Sequence, residues 1–451
     1  MTDHGAKEHV HAGIAREIEL CSQVIVGLQA NVSLPHDKLP TLINGRLVSE
    51  RVATAIREFG IAWEQRQIGL AEALNGKDRD ALVRAAFGNA WPERSDVAVE
   101  AAAKALHQRV TTALEQDIEA LAGARTFHFG AWLVRDQQNL IELGPVRIIP
   151  REDWLAELEH LNTIDAVAAR RVRRSWQGKR PRKRKAGRSE EVEWTVLKTV
   201  GECPDVCTVT VANMSGTVGE QKALLSARLA LCAHSLLWER PSTAIEGFGL
   251  LVDGKHWNAT FLATRDSDIV MTYHGRSRRM PGTTWTSDRM DQIWQEADWL
   301  RQPAGKALTA FASGRLPHER DAIDRAVFLA LWWMHEAIVS DTALMATAKF
   351  GAVLDTLAGG SGKDHSIMNM LSERLGIPVH GPVTQRGKTL KQIVRQIYGR
   401  GRSTTLHGSN DQFGSDWSDT RGLAEKLARD ALLATLGWVH DNDADRLPDY
   451  A

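Results

Sequence analysis

The apolar periodicity of this chain changes twice, and that constrains its fold more than any single motif. Up to about residue 124 the long segments Val48 to Leu74 and Val97 to Leu121 are rich in Ala, Glu, Arg and Gln, all good helix formers. From Arg125 to about Gly275 short strand-like runs take over. They are Thr126 to Val134, Leu140 to Ile149 with a Gly-Pro turn inside it, Glu193 to Val200, Cys207 to Ala212, Phe248 to Val252, Trp257 to Thr264 and Ile269 to Tyr273. A helical stretch from Gly219 to Trp238 lies between them. From Thr286 the spacing is helical almost to the end: Asp288 to Leu300, Ala304 to Ala312, Ala322 to Ser340, Thr342 to Leu357, Asp364 to Leu375, Leu390 to Tyr398 and Asp419 to Trp438. The expected class is α+β, a mixed N-terminal α+β portion followed by an all-α bundle. The expected boundaries are 1–124, 125–285 and 286–445.

A chain of 451 residues has room for two or three domains, and 43% hydrophobic residues are enough for real cores. The formal net charge is +0, so any contact with nucleic acid has to rest on a local patch. Four cysteines are too few for a disulfide framework. Cys203-x3-Cys207 lacks a zinc spacing and a second ligand pair, so the thiols read as reduced and structural. No metal site and no cofactor is expected. The N-terminus is polar, without a signal-peptide core, and His4, His9 and His11 read as part of a mobile tail. The apolar run Ala326 to Met334 is far shorter than the roughly 20 residues that span a bilayer, so a cytoplasmic protein without membrane contact is expected. Most of the 15 Trp read as core.

Two patches break the charge balance. Between Arg170 and Arg188 lie eleven basic residues and no acid, among them Arg182, Lys183 and Arg184. Charges this dense repel one another, so residues 170–188 are expected to be a disordered insertion that can grip phosphates, with Trp176 as a stacking platform. A solvated loop docking on an acidic surface is the other reading of the same charges. The second patch runs from Ile377 to Asn410, also without an acid, and carries Arg386, Lys388, Lys391, Arg395, Arg400 and Arg402. Within it, Tyr398-Gly-Arg-Gly-Arg-Ser-Thr-Thr-Leu-His-Gly408 places Arg402 five residues before His407. A guanidinium fork suits phosphate, and an imidazole exchanges protons near neutral pH. The spacing alone is weak, because roughly one or two such pairs arise by chance in a chain this rich in Arg and His.

Tyr398, Arg402, Ser403, His407 and Gly408 together match a Tyr-x3-Arg-Ser-x3-His-Gly signature. Ala352-Val-Leu-Asp-Thr-Leu357 matches an earlier acidic helix motif, with Asp355 where Glu is commoner, and Leu371-Ser-Glu-Arg-Leu375 matches the helix after it. On these residues the region from about Arg289 to Val439 resembles the HEPN domain, closest to its ApeA-like branch. The resemblance implies a helical domain, a metal-independent endoribonuclease, motifs meeting across a homodimer interface, and a setting in antiphage or toxin-like defence. It implies catalytic positions at Arg402, His407, Asp355, Ser403 and Tyr398. Arg400, Arg395 and Lys391, with Arg182, Lys183 and Arg184 of the first patch, are the expected RNA contacts.

Chemistry agrees with that class of substrate. RNA carries its own nucleophile, the 2′-OH, so a protein has only to move protons and hold charge at phosphorus. His407 suits the first task and Arg402 the second. Asp355 can orient either, Ser403 can touch phosphate or cap a helix, and Tyr398 packs. On an ideal helix residues five apart point about 140° apart, so Arg402 and His407 need a break in regularity or a second protomer. Leu390, Ile393 and Ile397 are the expected dimer contacts. The RNA target, tRNA among the candidates, and any phage or cellular trigger are open. The alternative is a nonenzymatic RNA- or nucleotide-binding sensor that uses the helical domain for dimerisation. A metal-dependent hydrolase is disfavoured, since no carboxylate or His cluster has a recognised ligand spacing.

Overall fold

The computed structural model describes residues 3–30, 41–43, 46–67, 73–91, 98–121, 123–132, 140–179, 188–253, 261–265, 268–273, 287–313, 321–384, 387–442, 444 and 446–450. The chain divides into two compact units. The first comprises Met1–Arg125, Val211–Lys222 and Ser313–Arg315. The second comprises Thr126–Thr210, Ala223–Ala312 and Leu316–Ala451.

In the first unit α1 (Asp3–Ala30) packs on α2 (Glu50–Arg66) and α4 (Val99–Leu121), with α3 (Gly76–Asn89) beside α2. Strands β1 (Thr41–Ile43) and β2 (Arg46–Val48) form an antiparallel pair. The segment read as a mobile tail is therefore helical. Its fixing residues are Leu20, Cys21, Val24 and Ile25, apolar at helical spacing and buried. Glu17 is fully buried between three helices. It accepts two bonds from Arg66 (2.9 and 3.0 Å) and lies 2.8 Å from His107 Nε2. Burial alone would raise the Glu17 carboxyl, but His107 and Arg66 outweigh it and hold it below its ordinary range.

The second unit starts with a five-stranded sheet in the order β4-β5-β6-β3-β7. These strands are β3 (Arg125–Trp132), β4 (Ile141–Leu143), β5 (Val146–Pro150), β6 (Asp205–Val211) and β7 (Gly249–Leu250). Pairings β4–β5, β5–β6 and β3–β7 are antiparallel. Three helices, α5 (Arg151–His160), α6 (Ala166–Trp176) and α7 (Arg188–Val200), share a core with β5 and β6 built on Trp154, Leu155, Ala168, Val172, Val196 and Val206. Gly130 on β3 lets the end of α7 approach, since a Cβ there would lie 2.8 Å from the Thr199 and Val200 carbonyls.

Two expectations fail here. Residues 193–200 are helical, not a strand: Glu193, Val196 and Val200 all turn inward at helical spacing, and that burial overrides the strand preference of Val, Thr and Trp. The basic tract is not a disordered insertion over its described part. Arg170 to Trp176 belong to α6, because acids from the flanking helices meet the charges. Arg171 pairs with Glu193, and Arg173 reaches Glu159 at 3.0 Å and Glu152 at 3.6 Å. Residues 180–187, with Arg182, Lys183 and Arg184, lie outside the described residues.

Helices α8 (Gly216–Ser235) and α9 (Pro241–Gly247) follow, then the two-stranded β8 (Phe261–Arg265) and β9 (Asp268–Tyr273). The rest is helical: α10 (Ser287–Glu296), α11 (Asp298–Ala312), α12 (Asp321–Ile338), α13 (Ala343–Leu357), α14 (Asp364–Leu375), α15 (Leu390–Val394), α16 (Thr404–Leu406) and α17 (Ser418–Asp441). The fold is thus mixed α+β in its N-terminal part and all-α in its C-terminal part. Helix α13 is the centre of the helical part. It is buried over most of its surface, leaving the face of Met345, Lys349 and Thr356 partly open, and packs on α12, α17 and the segment that carries the motif. The tryptophans divide: Trp63, Trp154, Trp238, Trp294 and Trp417 are buried, whereas Trp194 is largely exposed. Among the described residues no helix is long and apolar enough to cross a membrane.

Candidate active site

The motif segment begins with a capping box. Thr389 and Gln392 exchange side-chain and backbone bonds at the start of α15, which fixes where the helix begins. At Arg395 the helix widens, and Arg395–Ser403 is a π-helix, a form that recurs at functional sites. One of its two glycines, Gly401, makes room for α13. A Cβ on Gly401 would lie 2.9 Å from Thr347 Cγ2, and a Cβ on Gly351 of α13 would lie 3.2 Å from Arg402 Cβ. Two glycines on opposite elements thus let backbone approach backbone where Arg402 sits.

At this contact Arg402, Asp355 and Tyr398 come together. Arg402 Nη1 donates to the Tyr398 hydroxyl at 2.8 Å, and its guanidinium carbon lies 4.9 Å from the Tyr398 ring centroid. Arg402 Nη2 is 3.1 Å from Asp355 Oδ2. The other Asp355 oxygen accepts from the Gly362 N–H at 3.1 Å. Asp355 and Tyr398 are buried, and the Arg402 side chain is a quarter exposed. Arg402 Nε is buried with no hydrogen-bond partner among the described residues. Burial first, then the Asp355 charge, push the Tyr398 phenol above its ordinary value, with Arg402 pulling it back. Tyr398 therefore does more than pack: its hydroxyl sets the guanidinium plane.

His407 stands apart from this cluster. It is exposed and makes no side-chain hydrogen bond or ion pair with Arg402, Asp355 or Tyr398. Its backbone N–H bonds the Ser403 carbonyl at 3.0 Å, and it closes α16. Gly408 follows with φ +70°, Gly408 N–H bonds Thr405 O and Ser409 N–H bonds Thr404 O. That is the Schellman arrangement, in which a left-handed glycine ends a helix, so Gly408 has a backbone reason to be glycine. Ser403 provides no side-chain cap, contrary to one expected role, because the helix simply continues through it. The 409–417 loop folds back: Asn410 donates to Arg400 O (3.2 Å) and Thr405 Oγ1 (2.8 Å), and the buried Trp417 donates to Gln412 O at 2.9 Å. It leaves Leu406 and Phe413 exposed near His407 in sequence, Phe413 by 79%.

No protein-family model, curated protein or solved structure matches this chain.

The remaining expected contacts divide. Arg400 and Arg395 are exposed and Lys391 is half-buried, with Arg395 Nε 3.6 Å from Asp364. The acid-free stretch in sequence is therefore not acid-free in space, since α13 and α14 bring Asp355 and Asp364 to it. Arg386 lies outside the described residues. Leu390, Ile393 and Ile397 are at most 1% exposed within the chain itself, so they belong to its own core and not to a dimer contact. Sequence reasoning missed Gly351 and the bond from Gln396 Nε2 to Thr420 Oγ1 (2.6 Å) that ties the π-helix to α17. Gly351 sits four residues before Asp355, one helical turn away on the same face, and that spacing was a readable signal.

Proposed function

We propose that the C-terminal helices carry a metal-independent endoribonuclease site of the HEPN type, acting in the cytoplasm in antiphage or toxin-like defence. The observation that supports it best is the convergence of Asp355, Tyr398 and Arg402, two helices' worth of sequence apart, with His407 exposed at the next helix end. Arg402 is oriented by Asp355 and Tyr398 but spends only part of its donor set on them. Its remaining N–H groups can bind a phosphate edge and stabilise charge at phosphorus. His407, whose ring has no partner in the Arg402 cluster, is able to take the 2′-OH proton or to protonate the leaving oxygen. The 2′-oxygen forms a bond to phosphorus, the bond to the 5′ oxygen breaks, and the products end in a 2′,3′-cyclic phosphate and a 5′-OH.

A homodimer through the C-terminal helices completes the reading. One His407 cannot be base and acid in the same step, and a second copy supplies the other. With Leu390, Ile393 and Ile397 buried, the exposed Leu406 and Phe413 are the apolar groups available beside the motif. The direct test is a 2′-deoxy substitution at the cleaved nucleotide of a labelled RNA, which blocks the reaction. Cleavage of the deoxy substrate overturns the mechanism.

The nonenzymatic alternative also has an observation in its favour. Arg402 is already paired with Asp355, and His407 does not touch the pair. If the cluster only locks α13 to the π-helix, RNA binds without being cut. End-group analysis after incubation separates the two readings.

A further inference from the structure

A second site lies elsewhere in the same compact unit. A cavity of about 850 Å³ opens between α8, α9, β7, the end of α12 and the start of α17. We propose that it binds a mononucleotide or a similarly sized ligand that joins a phosphate to a flat ring. The volume falls within the range of small-molecule sites. Its cation is Arg421, which donates to the Ile338 carbonyl at 3.4 Å and meets no carboxylate within ion-pair reach among the described residues. A half-buried guanidinium with most of its donors unused is matched by a phosphate. The other lining cation, Arg228, is held by Asp253.

Part of the lining suits a ring. The half-buried Ile245 and the exposed Val252 present apolar surface, and Gly249 presents bare backbone. A Cβ built on Gly249 meets no atom within 4 Å, so the space above that peptide is open. Glu336 supplies an acceptor on the rim. The His335 ring beside it, then the Lys349 ammonium at 3.1 Å, hold its carboxyl down to about 2 against the burial that would raise it. An ionised carboxylate there can take the amino group of a base. A guanidinium for phosphate, accessible apolar surface for a ring and a carboxylate acceptor in one cavity describe a nucleotide better than a bare anion.

The test uses the full chain and titration calorimetry with AMP, GMP, CMP and UMP, with adenosine and inorganic phosphate as half-ligands. At least one mononucleotide is expected to bind with Kd below about 1 mM, roughly tenfold more tightly than either half-ligand. Arg421→Gln and Gly249→Leu should each weaken it by roughly tenfold or more. Gly249→Leu fills open space and should melt like the wild type, so its loss of binding cannot be blamed on unfolding. Arg402→Ala, at the candidate ribonuclease site, should bind the mononucleotide unchanged. Absence of binding by all four mononucleotides, retention of affinity in both cavity variants, or loss of binding in Arg402→Ala would each overturn the proposal.

Discussion

The basic helix α6 and the motif helix look alike in sequence and differ in the folded chain. Both are arginine-rich stretches with no acid among them. In α6 the acids come from the neighbouring helices and pair with Arg171 and Arg173, leaving Arg170 and Arg174 exposed to solvent. In the motif the acid comes from α13, a central buried helix, and pairs with Arg402 behind a wall of Tyr398 and glycine backbone. A linear count of charge therefore predicts neither field. Burial of the pair does not separate the two, since Arg171 and Glu193 are 17% and 6% exposed and Arg402 and Asp355 25% and 8%. What does is that α6 keeps further surface cations beside its pair, whereas Arg402 is held by a carboxylate and a phenol together.

The sharpest way to break this comparison is Asp355→Ala. It leaves Arg402 without its counter-charge and should cost about 3 kcal/mol of stability, measured by denaturant titration. Ribonuclease activity should fall on the order of a hundredfold or more, because the guanidinium loses its orientation. A variant as stable as the wild type would show that the pair is not structurally coupled. Gly351→Val attacks the same contact sterically and should cost about 1–3 kcal/mol through overpacking. The matching change for the α6 pair, Glu193→Gln on α7, should cost about 1–2 kcal/mol, since a neutral acceptor remains for Arg171.

A third buried group sharpens the point, since His234 has no counter-charge beside it among the described residues. It is packed edge-on against Trp238, Phe248 and Trp294, with ring centroids 4.8–5.8 Å away, and burial pushes its pKa down to about 3. The unfolded chain takes up a proton near 6.5 and the folded one does not. Stability is therefore flat above 6.5 and falls as pH drops from there toward 3. Thermal melting of His234→Phe against wild type at pH 8 and pH 5 checks this. The gap between them should shift in favour of the variant at pH 5.

The smallest effect on stability is expected from charge reversal at Arg170 and Arg174, within about 0.5 kcal/mol, because both are exposed. If they meet RNA, the same change should flatten the salt dependence of RNA binding by about one unit for each phosphate that is no longer neutralised. An unchanged slope would assign these cations to something other than RNA.

Much of this was readable in the sequence, for identifiable reasons. Helices α12, α13, α14 and α17 carry long apolar runs at helical spacing, and that signal survives folding. Residues 193–200 misled because Val, Thr and Trp favour strands, while Glu193, Val196 and Val200 were needed on one buried helical face. The stretch with His4, His9 and His11 misled because its polar start hid Leu20, Val24 and Ile25 further along the same helix. The Thr41–Val48 pair passed unread although Asn44-Gly45 stands between its strands, a strong hairpin signal. At the candidate site Arg402 and Tyr398 were legible four residues apart, but the π-helix was not, because it follows from close packing between Gly401 and Thr347 on another element. For the same reason no local pattern could show that Leu390, Ile393 and Ile397 point into the chain's own core.

The most direct measurement is cleavage of labelled tRNA and messenger RNA by the purified full chain in excess chelator, with end-group analysis, beside His407→Ala and Arg402→Ala. The account predicts 2′,3′-cyclic phosphate and 5′-OH ends from the wild type, a loss of at least about a hundredfold in each variant, and unchanged circular dichroism. Cleavage that persists in His407→Ala, or that disappears in chelator and returns with magnesium, would contradict it.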